Sequence, residues 1–193
     1  MLVAVLLLAA GAASGYLFQT SRLPSDNSAD AGFVRDMSVH HAQAVEMGMY
    51  AFQKSQDSEI QILGYDIATT QQYQIGEMNA WLLDWGLSTT PPKGRMAWMT
   101  EGTKALQPDG LMPGMATSDE ITKLKSLSGK DFDILFCQLM LRHHLGGVHM
   151  ADEALTLVKQ QNVKTLAGQI QQGQELEITT LTAKLKSLGA QPM

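Results

Sequence analysis

Residues 33–51 read FVRDMSVHHAQAVEMGMYA, and residues 136–154 read FCQLMLRHHLGGVHMADEA. The two segments align without a gap at an offset of 103 residues, which also relates residues 67–86 to residues 170–189. The matching pairs of the first segment are Phe33 with Phe136, Met37 with Met140, His40 with His143, His41 with His144, Val45 with Val148, Met47 with Met150 and Ala51 with Ala154. A register that holds this long indicates an internal repeat, with one structural unit in each copy.

Apolar residues in each copy recur at intervals of three or four positions, which is the spacing of an amphipathic helix. The pattern predicts four helices, near 31–54, 58–86, 131–159 and 162–188. Two helical hairpins can bury their apolar stripes against each other as an antiparallel four-helix bundle with pseudo-two-fold symmetry. We therefore expect an all-α protein with one bundle domain at residues 31–188, built from repeat 1 (31–86) and repeat 2 (131–189).

The two repeats are joined by residues 87–130, a connection much longer than the usual loops of helical bundles. Near its end, Thr117 and Glu120 have the spacing of a capping box, which predicts a short helix within the connection. A connection of this length is typical of a crossover or of a functional segment.

The chain begins with an apolar segment, because residues 1–18 carry no charged side chain. This length is at the short end of what spans a bilayer, so residues 1–19 are predicted to be a transmembrane anchor or a signal peptide. Residues 20–30 are polar and have the composition of a linker. These features predict an extracytoplasmic protein that an N-terminal helix anchors to the cytoplasmic membrane, or that is secreted if the segment is cleaved.

The composition excludes several classes of function. The net charge is -5 and the pI is about 5.4, with no basic cluster for binding nucleic acid. Cys137 is the single cysteine, which excludes an internal disulfide and a thiolate zinc cluster. The sequence contains no Glu-x-x-His motif of a di-iron centre and no recognisable catalytic constellation, and we expect no organic cofactor.

Each repeat places a pair of histidines on the helix face that also carries apolar residues. The pairs are His40 with His41, and His143 with His144. A buried imidazole needs partners for its ring nitrogens, so four of them require either a metal ion or a dense polar network. Polar residues that interrupt the apolar stripes of the following helices complete a predicted polar layer: Gln71, Gln74, Gln174 and Glu177. These residues either orient histidine ligands of a metal ion or belong to a purely structural hydrogen-bond network.

Methionine favours the metal, because a thioether sulfur is a soft ligand that selects Cu(I), whereas imidazole accepts several metals. The predicted metal ligands are His40, His41, His143, His144, Met37, Met47, Met140 and Met150, and the expected metal is copper. Additional candidate ligands are Met96, Met99, Met112 and Met115 of the connection, and His149. The alternative for the connection methionines is that they pack the connection onto a face of the bundle.

The strings Phe-x-x-x-Met-x-x-His-His, Val-x-Met and Gln-x-x-Glu-Ile resemble those of the domain of unknown function 305 family, over about residues 31–188. The resemblance implies a ferritin-like bundle in a secreted or membrane-anchored bacterial protein, and some members are associated with copper binding and copper tolerance. Repeat 1 departs from the family pattern, because Gln74 stands where the family usually has glutamate, whereas Glu177 of repeat 2 keeps the carboxylate. The two halves are therefore expected to differ.

Three hypotheses for function follow. The first is an extracytoplasmic metal-binding protein that holds copper for storage, tolerance or transfer. The second is a membrane-tethered structural or interaction module of the cell envelope, in which the histidines form an internal network without metal. The third is a redox enzyme with a bound metal, for which the sequence supplies no substrate clue.

Overall fold

The computed structural model describes residues 23–193, and this part of the chain contains five α-helices, one 3₁₀ turn and no β-strand. The helices are α1 (Ala29–Lys54), α2 (Ser58–Asp84), α3 (Ser118–Ser126), α4 (Gly129–Leu157) and α5 (Gln161–Ser187), and the 3₁₀ turn is Gly102–Ala105. Residues 23–193 are all-helical, as predicted, and the four long helices begin and end within two residues of the predicted positions.

The predicted membrane segment, residues 1–19, lies outside the described residues, as do residues 20–22 of the predicted linker. None of the helices within residues 23–193 combines the length and the apolar character that crossing a bilayer requires.

The four long helices form two hairpins that meet along α1 and α4. The closest packing is between α1 and α2 and between α4 and α5, and the hairpins are joined by contacts between α1 and α4. Helices α2 and α5 flank this central pair, and Lys184 of α5 bonds Glu59 at the start of α2 (2.6 Å). The repeat of the sequence is therefore a repeat of the fold, with α1 equivalent to α4 and α2 equivalent to α5.

Side-chain caps explain where several helices begin. The hydroxyl of Ser28 accepts a hydrogen bond from the Ala31 N–H (3.2 Å), and the carboxylate of Asp57 accepts from the first turn of α2. At α3 the predicted capping box is confirmed, because Thr117 and Glu120 bond each other's backbone N–H groups.

The first bundle helix starts earlier than the sequence predicted. Asp30, which was expected to end the linker, lies in the first turn of α1 and is buried. Its carboxylate accepts hydrogen bonds from the backbone N–H groups of Lys159 (2.9 Å) and Gln160 (2.7 Å), just before α5. The helix extends to this point because Ser28 caps it and Asp30 ties its start to the second hairpin.

The core is divided into two apolar clusters by a layer of histidines. Along α1, Met37 belongs to one cluster and Met47 to the other, with His40 and His41 between them. Along α4 the order is reversed, because Met140 shares the cluster of Met47 and Met150 shares that of Met37. Helices α1 and α4 are therefore antiparallel, and the histidine layer is at the middle of the bundle.

The connection between the repeats is bound to α1 by buried polar side chains. The Asp36 carboxylate, which is 1% exposed, accepts hydrogen bonds from the backbone N–H of Met96 (2.7 Å) and from the indole N–H of Trp98 (2.9 Å). Burial raises the pKa of Asp36, and these hydrogen bonds partly offset that effect. Arg35 donates to the Ser88 carbonyl (2.7 Å) at the start of the connection. The connection is thus a fixed part of the core.

Candidate metal centre

The four histidines of the repeat are all fully buried and lie together at the centre of the bundle. The rings of His40 and His143 stack across the two hairpins, with their centroids 3.8 Å apart and their planes inclined by 33°. Neighbouring residues on a helix point in directions about 100° apart, so the second member of each pair faces elsewhere. His41 faces α2 and His144 faces α5, which explains why adjacent histidines can both be buried.

The outer histidines have equivalent partners in the two repeats. His41 donates its Nε2–H to Oε1 of Gln74 on α2 (2.8 Å), and His144 donates its Nε2–H to Oε2 of Glu177 on α5 (2.5 Å). We call His40, His41 and Gln74 half-site 1, and their equivalents His143, His144 and Glu177 half-site 2. The sequence pattern predicts that Gln74 and Glu177 belong to a polar layer, and in the structure both bond the histidines.

The inner histidines bond backbone carbonyl groups, and their partners differ. His143 donates its Nε2–H to the carbonyl of His40 (3.1 Å), whereas His40 donates its Nε2–H to the carbonyl of Pro113 in the connection (3.0 Å). The connection therefore completes half-site 1. Pro113 could not be identified as a partner from the sequence, because a backbone carbonyl leaves no signature in residue type.

These bonds determine which ring nitrogen is free. A carbonyl or carboxylate oxygen only accepts, so Nε2 carries a proton in each ring, and Nδ1 keeps a lone pair wherever the ring is neutral. All four Nδ1 atoms are buried, and none has a hydrogen-bond partner among residues 23–193. A buried nitrogen lone pair without a partner is costly, and it is also the form of histidine that binds a metal ion.

Burial keeps three of these rings neutral. It lowers the pKa of His40 to about 4 and that of His41 to about 3, because the surrounding core cannot solvate an imidazolium. Burial and the neighbouring histidines hold the pKa of His143 well below its ordinary value. These imidazoles are therefore available as neutral ligands at neutral pH without losing a proton first.

The predicted methionine ligands are divided between the two clusters, on opposite sides of the histidine layer. Met47 and Met140 lie on one side. The cluster on the other side contains seven of the 12 methionines, and we call it the methionine cluster: Met37, Met78, Met96, Met99, Met112, Met115 and Met150. All four candidate methionines of the connection are thus in the core. Met78 was missed by sequence analysis, since its position in repeat 2 is Leu181 and the repeat gives no signal for it.

Met96 has an unusual backbone conformation in this cluster. Among residues 23–193 it is the only non-glycine residue with positive φ, at 61°. This conformation is unfavourable for a residue with a side chain, and in folded proteins such positions are concentrated at functional sites. The bond from its N–H to Asp36 holds it there, with its side chain fully buried.

Residues 112–115, Met-Pro-Gly-Met, lie directly against α4 at the histidine layer. A Cβ atom on Gly146 would be 1.9 Å from the Pro113 carbonyl oxygen, so only glycine allows this approach. Gly114 has φ of 77°, and a Cβ atom there would be 2.3 Å from the Arg142 carbonyl oxygen. Gly114 and Gly146 therefore allow the close packing of the loop whose Pro113 carbonyl bonds His40.

Three other predicted residues lie away from the histidines or bond differently. His149 is exposed on α4, and Glu153, one turn further on, accepts from the Thr100 N–H (2.8 Å). Gln71 and Gln174 are buried, but neither side-chain amide forms a hydrogen bond with a histidine or with any other described residue.

Cys137 is buried, and burial raises the pKa of its thiol to about 12, so it is not a reactive thiolate. Within residues 23–193, no group of three or more His, Cys, Asp or Glu side chains is arranged to hold one metal ion. A metal ion at this centre would need sulfur ligands in addition to imidazole.

Comparison with known proteins finds the same fold in several solved structures. The family model of a domain of unknown function, DUF305, matches residues 30–185. A DUF305 protein from Streptomyces coelicolor, described as a candidate secreted protein, is 41% identical with a TM-score of 0.81, and the match covers 88% of this chain and 99% of that chain. A DUF305 fragment from Deinococcus radiodurans is 31% identical with a TM-score of 0.68, covering 83% of this chain and 95% of that one.

CopM in its Cu(I)-bound form is 22% identical with a TM-score of 0.62, and the match covers 85% of this chain and 97% of that chain. CopM is also known in Cu(II)-bound and silver-bound forms. At this identity the likeness shows a common fold. No curated protein matches the chain.

Proposed function

The chain belongs to the family of the domain of unknown function DUF305, and we propose that it binds copper outside the cytoplasm, for storage, tolerance or transfer. The observation that carries the proposal is the set of four buried imidazoles whose Nδ1 atoms have no partner among the described residues. The metal-bound forms of CopM, a protein of the same fold, support copper as the ion. The naming of the Streptomyces coelicolor protein as a candidate secreted protein supports the location.

The ligand set that we propose combines imidazole with thioether sulfur. No three side chains of His, Cys, Asp or Glu converge within residues 23–193, which disfavours a zinc site of the usual kind. Cu(I) is soft, and it accepts both imidazole nitrogen and methionine sulfur. We assign His40, His41, His143 and His144 as nitrogen ligands, with sulfur from Met37, Met47, Met140 and Met150.

The methionine cluster is proposed as a second, sulfur-only position for Cu(I). Four of its members come from the connection, and Met96 is held there in a strained backbone conformation. Packing alone does not require this many methionines in the core, because leucine side chains fill a similar volume. His149 is not included, since its side chain is exposed on α4 whereas the four histidines of the layer are fully buried.

Anaerobic competition titration of the full chain with Cu(I) tests the proposal. One variant replaces His40, His41, His143 and His144 with leucine, which keeps the core filled, and a second replaces Met96, Met99, Met112 and Met115 with leucine. We expect the histidine variant to lose the tightest binding and the methionine variant to lose a further, weaker equivalent. Helical circular dichroism spectra serve as the control for folding. If wild-type protein binds neither Cu(I), Cu(II) nor Zn(II), the proposal is wrong.

The second candidate function is a structural or interaction module of the cell envelope that holds no metal. The absence of a convergent group of three His, Cys, Asp or Glu among residues 23–193 favours it. It predicts that the histidine-to-leucine variant is more stable than wild type, because four unsatisfied nitrogens are removed from the core, and that added copper does not change the melting temperature. In both proposals residues 1–19 anchor the protein to the membrane or direct its secretion.

A further inference from the structure

A narrow cleft opens between α2 and α5 at the level of the histidine layer. It is lined by Gln71 and Gln74 of α2 and by Gly173, Gln174 and Glu177 of α5, and its volume is about 50 Å³. A water molecule occupies roughly 30 Å³ in the liquid, so the cleft has room for a water molecule or a largely dehydrated ion. Gln74 and Glu177 are the partners of His41 and His144, so the cleft is separated from the outer histidines by a single layer of side chains.

Two buried amides line this cleft without a hydrogen-bond partner. Gln71 is 3% exposed and Gln174 is 4% exposed, and neither the oxygen nor the nitrogen of either amide has a partner among residues 23–193. The two residues are equivalent in the repeat, so the feature occurs twice. A buried amide without a partner is unfavourable, so both amides keep hydrogen-bonding capacity that a ligand in the cleft can use.

Gln174 is held beside the histidine layer by close packing. A Cβ atom on Gly147 of α4 would be 2.2 Å from the Gln174 amide oxygen, so this oxygen occupies the space that a side chain at position 147 would fill. Gly147 is one turn after His144 on the same helix. The unpartnered amide therefore lies close to the ring that Glu177 bonds.

The other sides of the histidine layer are covered. The two apolar clusters lie on either side of it along the bundle axis, and the Pro113 carbonyl covers His40. The cleft, in contrast, reaches solvent through Gly173, which is exposed, and through Glu177, whose side chain is 24% exposed. Glu177 is also the one carboxylate in the cleft lining, so a cation is attracted to this opening.

We propose that this cleft is the passage by which a copper cation reaches the histidines, and that it contains a transient binding position of oxygen ligands. The inference rests on the proposed function. The Glu177 carboxylate and the amide oxygens of Gln71 and Gln174 replace water around the ion. Oxygen is a poor ligand for a soft ion, so the ion is held weakly and passes on to imidazole and sulfur.

A large side chain at position 173 would narrow the passage while leaving every histidine unchanged. A Cβ atom at Gly173 meets nothing within 4 Å, so Gly173→Phe can be accommodated. Gly76 of α2 provides the matched control, because it is an exposed helical glycine with equally open surroundings and does not line the cleft. The full-length chain and both variants are mixed with the Cu(I)–bicinchoninate complex under argon, and the loss of its colour is followed by stopped flow.

A narrowed passage slows the uptake and the release of Cu(I) by the same factor, so the Kd for Cu(I) is unchanged. We expect both rates to fall about tenfold or more in Gly173→Phe, with a Kd within about twofold of wild type, and Gly76→Phe to match wild type. Equal rates in the two variants would overturn the passage while leaving copper binding intact. No uptake of Cu(I) by wild-type protein would overturn the proposed function as well.

The amides are tested by the double variant Gln71→Leu, Gln174→Leu. Leucine keeps the volume and removes the oxygen ligands, so uptake is expected to slow by about tenfold, whereas the resistance of the fold to urea stays equal or rises. A purely structural role predicts the opposite pattern, with lower resistance to urea and unchanged uptake. That result would overturn the proposal.

Discussion

His41 and His144 occupy equivalent positions in the two repeats, and each donates its Nε2–H to the side chain 33 residues later. In half-site 1 that side chain is the neutral amide of Gln74, and in half-site 2 it is the carboxylate of Glu177. A carboxylate partner makes an imidazole a stronger ligand than an amide partner does. The same backbone therefore holds the two histidines against partners of different charge.

The inner histidines differ for another reason. His143 bonds the carbonyl of His40 on the facing helix, whereas His40 bonds Pro113 of the connection. The chain contains two repeats and one connection, so the connection can complete only one half of the layer. A duplicated bundle therefore becomes asymmetric in two ways. One is a substitution within a repeat, and the other is the single segment that joins the two repeats.

The change expected to be greatest is a loss of stability in mild acid, which arises from His40 and His41 of half-site 1 and from His143 of half-site 2. The pKa values of His40 and His41 in the folded protein are about 4 and about 3, below the ordinary 6.5. Below pH 6.5 the unfolded chain binds protons at these rings and the folded protein does not, so the free energy of unfolding falls with pH. Down to about pH 5 the loss is roughly 2 kcal/mol for each histidine, and it levels off below the folded pKa values.

Urea unfolding of the metal-free protein, measured at several pH values across this window, checks the prediction. The variant Gln74→Glu gives half-site 1 the carboxylate of half-site 2. A carboxylate favours the protonated form of His41, so the loss in acid should be smaller in this variant. A free energy of unfolding that is flat between neutral pH and about pH 5 would contradict the prediction.

A smaller effect is expected when the connection is moved away from half-site 1. Gly146→Ala places a Cβ atom against the Pro113 carbonyl and displaces the loop that bonds His40. We expect a loss of about 1 to 3 kcal/mol in the free energy of unfolding, as for other overpacked positions. Gly76→Ala, at an exposed helical glycine, should instead stabilise the protein by up to about 1 kcal/mol. Similar urea midpoints for the two variants would show that the Pro113 loop does not pack closely against Gly146.

The smallest effect is expected from making the two half-sites chemically alike. Glu177→Gln replaces the carboxylate at His144 by the amide already present at His41, and it should weaken Cu(I) binding by about tenfold. Glu175→Gln is the matched control, since Glu175 is an exposed carboxylate on the same helix. Competition titration of both variants measures the difference. Equal affinities would mean that the carboxylate does not influence the ligand.

Much of the site could be predicted because the repeat and the helical period are properties of the sequence. The two histidine pairs, the outer partners Gln74 and Glu177, and the capping box at Thr117 all follow from spacing along a helix. Helix ends were displaced by up to two residues, since caps such as Ser28 act through side-chain geometry.

Other parts of the site could not be predicted, because they depend on contacts between segments far apart in the chain. Gln71 and Gln174 share a helix face with the outer partners, yet they turn into a cleft and do not bond the histidines. Which methionines share a side of the histidine layer also depends on tertiary structure: because α1 and α4 are antiparallel, Met37 is grouped with Met150 and Met47 with Met140.

The helices, the duplication and the residues of the histidine layer can be predicted from the sequence alone, because helical periodicity and a constant offset are local properties of the chain. Which atoms of that layer find hydrogen-bond partners depends on the tertiary structure. A carbonyl at Pro113, a close approach at Gly146 and seven gathered methionines depend on how one long connection packs against the bundle. That packing is set by the shape of the whole core, which no single stretch of sequence encodes.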